Sequence, residues 1–201
     1  MNSTLSKDEQ RALLKIARRA LVETIVFDRR WRPEAEEGSL AEPLGAFVTL
    51  EHRGRLRGCV GQPAPQDSLA RTVAHCAVAA AQEDTRFRPV RAGEVAELAI
   101  EISVLSSMQP IALGQIEIGR HGLFVVRDVL RALLLPQVAA ERNWTRERFL
   151  QETCRKAGLP TNSWRLMGTQ LYGFTAEAFN EAEFAPEADS TAVSSSQHSP
   201  Y

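Results

Sequence analysis

The chain has 201 residues, of which 44% are hydrophobic and 24% are charged, and 24 basic against 25 acidic side chains leave a formal net charge of -1. A chain of this length can bury a core without cross-links. Its balanced charge excludes an overall attraction to nucleic acid or to an anionic membrane. The sequence shows neither an apolar run long enough to span a bilayer nor a secretion signal. We therefore expect a cytoplasmic protein that works without a membrane and without nucleic acid.

The cysteines and histidines indicate reduced thiols and no metal site. Cys59, Cys76 and Cys154 are an odd number without a short paired spacing, which favours free thiols over disulfides or a zinc knuckle. The four histidines lack the spacing that places two metal ligands on one helix face. Cys76 and Cys154 lie on apolar helical stripes, so we expect both of them to be buried in the core.

The N-terminal region predicts an amphipathic helix followed by a loop. Ser6 and Glu9 form a capping-box pattern, and apolar residues then recur at helical spacing to about Phe27. From Asp28 to Pro43 the chain loses this periodicity and becomes acidic around a glycine. The segment is either a plain surface connector or a lid over a site.

The next segment predicts a β-hairpin and a second helix. Ala46–Leu50 is rich in β-branched and aromatic residues, a turn-like segment follows, and Leu56–Val60 can return as the partner strand. A helix then begins after Asp67 or Ser68, either of which can cap it. Small apolar residues along this helix suit close packing against a sheet.

The remaining elements complete an α+β pattern. Leu98–Leu105 predicts a central strand, and a second hairpin is expected to join Ile116–Ile118 to Leu123–Val126. Later apolar segments predict further elements: a strand at Leu133–Leu135, a short helix from Gln137, a helix capped by Thr145, and a strand at Thr169–Phe174. Irregular alternation of strands and helices indicates an antiparallel or mixed sheet with flanking helices. One domain is expected over residues 1–184, with a disordered, serine-rich acidic tail over residues 185–201.

The stretch Arg55–Gln62 contains the first candidate site. A thiol, Cys59, sits between two glycines, and nearby arginine charge favours the thiolate, which is the nucleophilic form. If the strand is regular, Arg57 and Cys59 share one of its faces. The alternative is that the glycines only satisfy backbone geometry and that Cys59 packs as a small apolar residue.

The polar stretch Gln82–Pro89 contains the second candidate site. It combines a carboxylate at Asp84, a guanidinium at Arg86 and an aromatic ring at Phe87 in one loop. The segment is either a salt-bridged loop anchored by its aromatic ring or part of a binding site. His121 either caps a turn or lies close to the thiol in space, where it would serve as a base.

These motifs resemble the AMMECR1 domain family. Leu56–Gly61 is similar to the LRGCIG signature of that family, with valine in place of isoleucine. Further matching motifs follow in the family's order: Asp84–Pro89, Glu101–Leu105, Ile118–Gly122, Leu134–Val138 and Phe149–Leu159. Together the matches cover roughly residues 8 to 184, and the acidic tail lies outside them.

The resemblance implies an α+β fold of a larger and a smaller subdomain, with the signature near their junction. It implies no known reaction, and it leaves the cofactor unknown. Members are often encoded beside a Memo-like protein and a radical SAM enzyme, which makes both of them candidate partners. The candidate site has two parts: Cys59, Arg57 and His121 as catalytic residues, and Asp84, Arg86 and Gln137 as residues that bind a small anionic substrate.

Two functional hypotheses follow. In the first, the protein is an enzyme or an enzyme component in which Cys59 is a nucleophile or carrier and Arg57 favours its thiolate. In the second, the protein is a non-catalytic module that docks a Memo-like or radical SAM partner, and Cys59 is structural. A nucleic-acid accessory role is disfavoured because no basic stripe with interleaved aromatic residues is present.

Overall fold

The computed structural model describes residues 5–34 and 37–184. The predicted disordered tail therefore lies outside the described residues, as does part of the loop between Asp28 and Pro43. Within the described ranges the chain forms the helices α1 (Lys7–Leu21), α2 (Leu69–Gln82), α3 (Pro136–Glu141) and α4 (Arg146–Lys156). It also forms the strands β1 (Ala46–His52), β2 (Arg55–Gln62), β3 (Leu98–Leu105), β4 (Gln109–Pro110), β5 (Gly122–Arg127), β6 (Leu130–Leu134), β7 (Gln170–Phe174) and β8 (Ala176–Asn180).

The first sheet has the strand order β2-β1-β3-β8, and every pairing in it is antiparallel. One of its faces is apolar because alternate residues of the strands, such as Val48, Leu50 and Ile102, point to the same side. Helices α1 and α2 pack on that face and form the larger core with it. Ser6 and Ser68 cap the two helices by accepting hydrogen bonds from main-chain N–H groups. Along each strand, the residues between these core residues point to the opposite face of the sheet, which the helices do not cover.

The second sheet has the order β4-β7-β5-β6 and is also antiparallel. Helix α4 covers it, with Phe149 and Leu150 buried in a smaller core. The two sheets meet where Phe47 of β1 packs with Leu133 and Phe174. The prediction of an α+β fold with antiparallel sheets and flanking helices is therefore confirmed.

The second predicted hairpin is wrong. Ile116–Ile118 forms no strand, and β5 instead pairs with β6 through a turn in which Asp128 has a φ of 53°. Aspartate tolerates this left-handed conformation better than most residues. Strands β4 and β8 were not predicted. They are short, and they exist because they pair with β7 and β3.

The first helix extends about as far as predicted, but its last turn is not α-helical. Val22–Val26 forms a π-helix, and Asp28 directly after it has a φ of 52°. Among the described residues, no helix combines the length and the apolarity needed to cross a membrane.

Candidate functional site

A β-bulge in the first hairpin determines where the signature side chains point. The register shifts by one residue between Leu50 and Glu51, so that Arg57 on β2 has no partner on β1. A bulge redirects the side chain of its extra residue. The expected regular strand, with Arg57 and Cys59 on one face, is therefore wrong at this point.

The main chain of Cys59 is held at two points by the loop that follows α2. The Cys59 N–H donates to Asp84 Oδ2 at 2.9 Å, and the Cys59 carbonyl accepts from the Arg86 guanidinium at 3.4 Å. Because β2 is an edge strand, these groups would otherwise lack a partner within the sheet. The structure thus brings three of the predicted site residues together.

Asp84 and Arg86 also bind each other. Arg86 donates to both carboxylate oxygens, at 2.9 Å and 2.7 Å, which is the bidentate geometry of a strong ion pair. The Asp84 side chain is only 6% exposed, whereas that of Arg86 is 57% exposed. Hydrogen bonds from Arg86 and from the Cys59 N–H hold the pKa of the Asp84 carboxyl well below its usual range. Asp84 therefore stays ionised and serves as a rigid anchor for the turn.

The thiol of Cys59 points to the face of the first sheet that the helices leave open. Cys59 is half-buried, and Thr49, directly opposite on β1, places its hydroxyl 3.3 Å from the sulfur. Residues that face each other across strands share a side of the sheet. The register continues the row through Glu101 on β3 to Asn180 on β8. These four residues form a polar row across the open face of the first sheet, close to the place where Phe47 contacts the second sheet.

Glu101 has the most perturbed environment in this row. Burial raises the pKa of its carboxyl above the usual range, and the nearby Glu51 and Glu183 carboxylates add to the rise. A carboxyl with a raised pKa holds its proton to a higher pH, which suits a proton donor or acceptor. Sequence reasoning missed Glu101 and Thr49 as site residues because only the strand register aligns them with Cys59.

The two glycines of the signature have packing roles. A Cβ at Gly58 would collide with the main-chain carbonyl of Ala80 in α2, and a Cβ at Gly61 would collide with the ring of Phe47. Neither glycine has a positive φ. Gly58 therefore allows α2 to approach β2 closely, and Gly61 makes room for the aromatic side chain that joins the two cores.

The Arg57 side chain binds the segment that precedes β3. Its guanidinium contacts Glu94 at 3.0 Å and donates to the main-chain carbonyls of Arg88 and Pro89. The side chain is only 16% exposed. Arg57 thus closes the loop after α2 against β2, and its charge is shared with Glu94 rather than directed at the thiol.

His121 and Gln137 are partly exposed and lie on the second sheet's side of the molecule, outside the smaller core. The His121 ring accepts a hydrogen bond from the Glu117 N–H at 3.0 Å through Nδ1. With Arg120 it lines a groove of about 530 Å³ beside β4 and β7, and Cys59 is not among the described residues that line this groove. Gln137 is a half-buried residue in the first turn of α3. The structure shows no hydrogen bond from either side chain to Cys59 among the described residues.

The other two thiols are buried, as predicted. Burial raises the pKa of the Cys76 thiol to about 12 and also raises that of Cys154. Cys59 is thus the accessible thiol among the described residues. In residues 5–34 and 37–184, no group of three or more acidic, histidine or cysteine side chains is arranged to hold a metal ion.

Comparisons with known proteins agree with the resemblance seen in the motifs. A family model described as AMMECR1 matches residues 14–179. A protein of Methanothermobacter thermautotrophicus is 40% identical over 185 residues, which cover 88% of this chain and 96% of that protein. A protein of Pyrococcus furiosus is 40% identical over 84% of this chain and 86% of its own length. The crystal structure of an uncharacterized protein from Pyrococcus horikoshii superposes with a TM-score of 0.76 at 38% identity, covering 84% of this chain and 89% of that one.

Proposed function

Since this chain belongs to the AMMECR1 family, we propose that it is the small component of a system containing a Memo-like protein and a radical SAM enzyme, and that it contributes Cys59 as a reactive thiol. The partners are taken from the family resemblance. The thiol is proposed from its geometry.

The placement of Cys59 supports this proposal most strongly. Its main chain is fixed on one side by Asp84 and Arg86, while its sulfur lies on the open face beside the Thr49 hydroxyl. A nucleophile held rigidly by neighbouring groups reacts with less loss of entropy.

Arg86 supports an anionic substrate. A guanidinium has five N–H donors, and Asp84 and the Cys59 carbonyl occupy those on Nε and on one terminal nitrogen. The other terminal nitrogen is left to bind a carboxylate or phosphate next to the thiol, on a side chain that is 57% exposed. We propose that His121 acts from the groove beside β4 and β7, and Gln137 from the first turn of α3, on a separate part of a larger substrate or on a partner.

The alternative proposal is a docking module without chemistry. It is favoured by the internal contacts of the signature, since Gly58 packs on α2 and Arg57 is bound to Glu94. In this case the signature segment would only present a shaped surface, and replacement of Cys59 would leave partner binding and the activity of the partner enzymes unchanged.

Alkylation with a neutral and an anionic reagent separates these proposals. Iodoacetamide and iodoacetate have similar chemistry, but only iodoacetate carries a negative charge. If Arg86 binds anions beside the thiol, the ratio of iodoacetate to iodoacetamide rates at Cys59 falls several-fold in Arg86→Gln. Arg88→Gln is the matched control, because this exposed arginine lies in the same loop and its side chain makes no contact with Cys59 among the described residues. An unchanged ratio in Arg86→Gln, together with full system activity of Cys59→Ala, would support the docking module instead.

A further inference from the structure

A separate cavity lies on the helical side of the first sheet, away from the Cys59 sulfur. It has a volume of about 680 Å³, and its walls are the outer side of α2, the end of β2 and the segment that follows the π-helix. This volume is in the range of pockets that hold small ligands, about 300 to 1,000 Å³. The site is independent of the proposed thiol chemistry.

Three guanidinium groups line the cavity and bring positive charge to it. Arg30 and Arg32 extend from the segment after the π-helix, and Arg71 extends from α2. Arg30 and Arg32 make no hydrogen bond or ion pair with any residue in the described ranges. Arg71 is paired only loosely, at 3.7 Å, with the exposed Asp67. Arginines that line one cavity repel one another, and a bound anion relieves that repulsion.

The acidic residues of the cavity do not cancel this charge. Asp67 is matched with Arg71, and Glu83 lies at the C-terminal end of α2, about 16 Å along the helix from Thr72. Arg30 and Arg32 therefore leave a net positive charge in the cavity, while its end at Glu83 is acidic. Such a gradient orients an elongated ligand that is anionic at one end.

A buried hydroxyl lies in the wall next to these arginines. Thr72 is 1% exposed, lines the cavity, and its Oγ1 is the side-chain oxygen that lacks a hydrogen-bond partner among the described residues. An unpaired buried hydroxyl costs folding free energy. Threonine in a helix adopts two side-chain rotamers, and one of them can present the hydroxyl to a ligand in the cavity. A ligand oxygen would then supply the missing partner.

The backbone of the wall is unusual at the same place. Thr24, in the π-helix, lines the cavity, and Asp28 adopts a left-handed conformation at the start of the segment that carries Arg30 and Arg32. π-helical turns and non-glycine residues in the left-handed region occur preferentially at functional sites. Here they bring an arginine-bearing segment over the face of α2.

The same cavity has an apolar wall. Trp31, Ala74 and Val78 line it beside the charged groups. Trp31 is half-buried, and its ring is stacked by Arg19, 4.9 Å from the ring centroid. A ligand with an anionic end and a flat, weakly polar end fits these surroundings better than a simple inorganic anion does.

We propose that this cavity binds a nucleotide, with its phosphates on Arg30, Arg32 and Arg71 and its base against the apolar wall at Trp31 and Val78. Thr72 donates its hydroxyl to a phosphate oxygen. The arginine fork suits phosphate because it makes parallel hydrogen bonds to two oxygens.

Calorimetric titration of the full chain with ADP, adenosine and inorganic phosphate tests the proposal. ADP binds with a dissociation constant below about 1 mM, and adenosine and phosphate each bind at least about tenfold more weakly, because each supplies only half of the ligand. The double variant Arg30→Gln/Arg32→Gln loses about tenfold or more in ADP affinity. Arg29→Gln is the matched control: Arg29 precedes these residues, lies over the Phe27 ring at 5.5 Å and does not line the cavity, so the affinity is unchanged.

Thr72→Val separates a ligand role from a structural one. Removing an unpaired buried hydroxyl leaves the ligand-free protein at least as stable as the wild type, while ADP affinity falls several-fold. The proposal is overturned if ADP does not bind at millimolar concentration, or if Arg29→Gln and the double variant weaken it equally. A single-stranded oligonucleotide that binds more tightly than ADP would also overturn it and would identify a nucleic-acid surface.

Discussion

The main-chain N–H of Cys59 donates to the carboxylate of Asp84 at 2.9 Å, which ties the edge strand of the first sheet to the loop after α2. The same carboxylate binds Arg86 through two oxygens. A single buried charge thus positions both the thiol and the neighbouring cation. The stability and the reactivity of this region should respond to changes at Asp84.

Asp84→Asn should lower the free energy of unfolding by about 2 kcal/mol at pH 7, because a charged hydrogen-bond acceptor is replaced by a neutral amide. The pKa of Asp84 is lowered in the folded state, so its contribution is present above the pKa of the unfolded chain, about 3.9, and is lost as the pH falls through the lower folded value. Urea unfolding at pH 7 and below pH ~4 should show the difference between wild type and variant shrinking in acid.

The control for this prediction is Glu147→Gln, which removes a pair with Arg165 in which both side chains are more than half exposed. An exposed pair contributes about 0 to 1 kcal/mol. Equal losses in Asp84→Asn and Glu147→Gln would contradict the anchoring role of Asp84.

Gly58→Ala should destabilise the protein by about 2 kcal/mol, because the new methyl group would collide with the Ala80 carbonyl and force α2 away from β2. Chemical unfolding measures this loss. Gly93→Ala is the comparison, since no atom lies within 4 Å of a Cβ at that position and the change should be nearly neutral. A stable Gly58→Ala protein would show that the close packing of α2 is not required.

Arg57→Gln should reduce stability by about 1 to 2 kcal/mol but leave the alkylation rate of Cys59 within about twofold of the wild type. The reason is that the Arg57 guanidinium binds Glu94 and two main-chain carbonyls, and lowers the pKa of the Glu94 carboxyl. Timed iodoacetamide labelling of the variant measures the rate. A much slower reaction of Arg57→Gln with iodoacetamide would restore the activating role that the sequence predicts for Arg57.

Glu101→Gln should be at least as stable as the wild type at pH 7. The folded pKa of Glu101 is raised, so the carboxyl contributes stability below its unfolded pKa of about 4.3 and loses it as the pH rises through the folded value. Unfolding experiments should therefore show that the free energy of unfolding of the variant, relative to that of the wild type, is higher at pH 7 than at pH 4. If the variant were less stable at pH 7, the charged carboxylate would have a favourable partner, and the proposed proton-holding role would be lost.

The sequence predicted the elements around the site better than the contacts within it. The hairpin, α2 and its Ser68 cap follow from local patterns, as does the burial of Cys76. The β-bulge has no such signal, because strand register depends on how β2 packs against α2 and on how the following loop covers its edge. The direction of Arg57 therefore could not be predicted.

Strand pairing that depends on tertiary packing also explains why the second hairpin was predicted wrongly. Ile116–Ile118 is apolar enough for a strand, but Ile116 is buried in the smaller core as part of an irregular segment. Thr49 and Glu101 lie far apart in the sequence and face each other only through the pairing of β1 with β3. Such alignments across strands can be recognised only once the fold is known.

The rate of Cys59 alkylation in the native protein, compared with its rate in the urea-unfolded protein at the same pH, tests the central proposal most directly. Intact-mass and peptide analysis after brief iodoacetamide treatment identifies the labelled thiol. We predict that Cys59 alone is labelled in the native protein, since Cys76 and Cys154 are buried, and that it reacts faster folded than unfolded. A slower reaction in the folded protein would show that Cys59 is a packed structural residue, and would contradict the proposal of a reactive thiol.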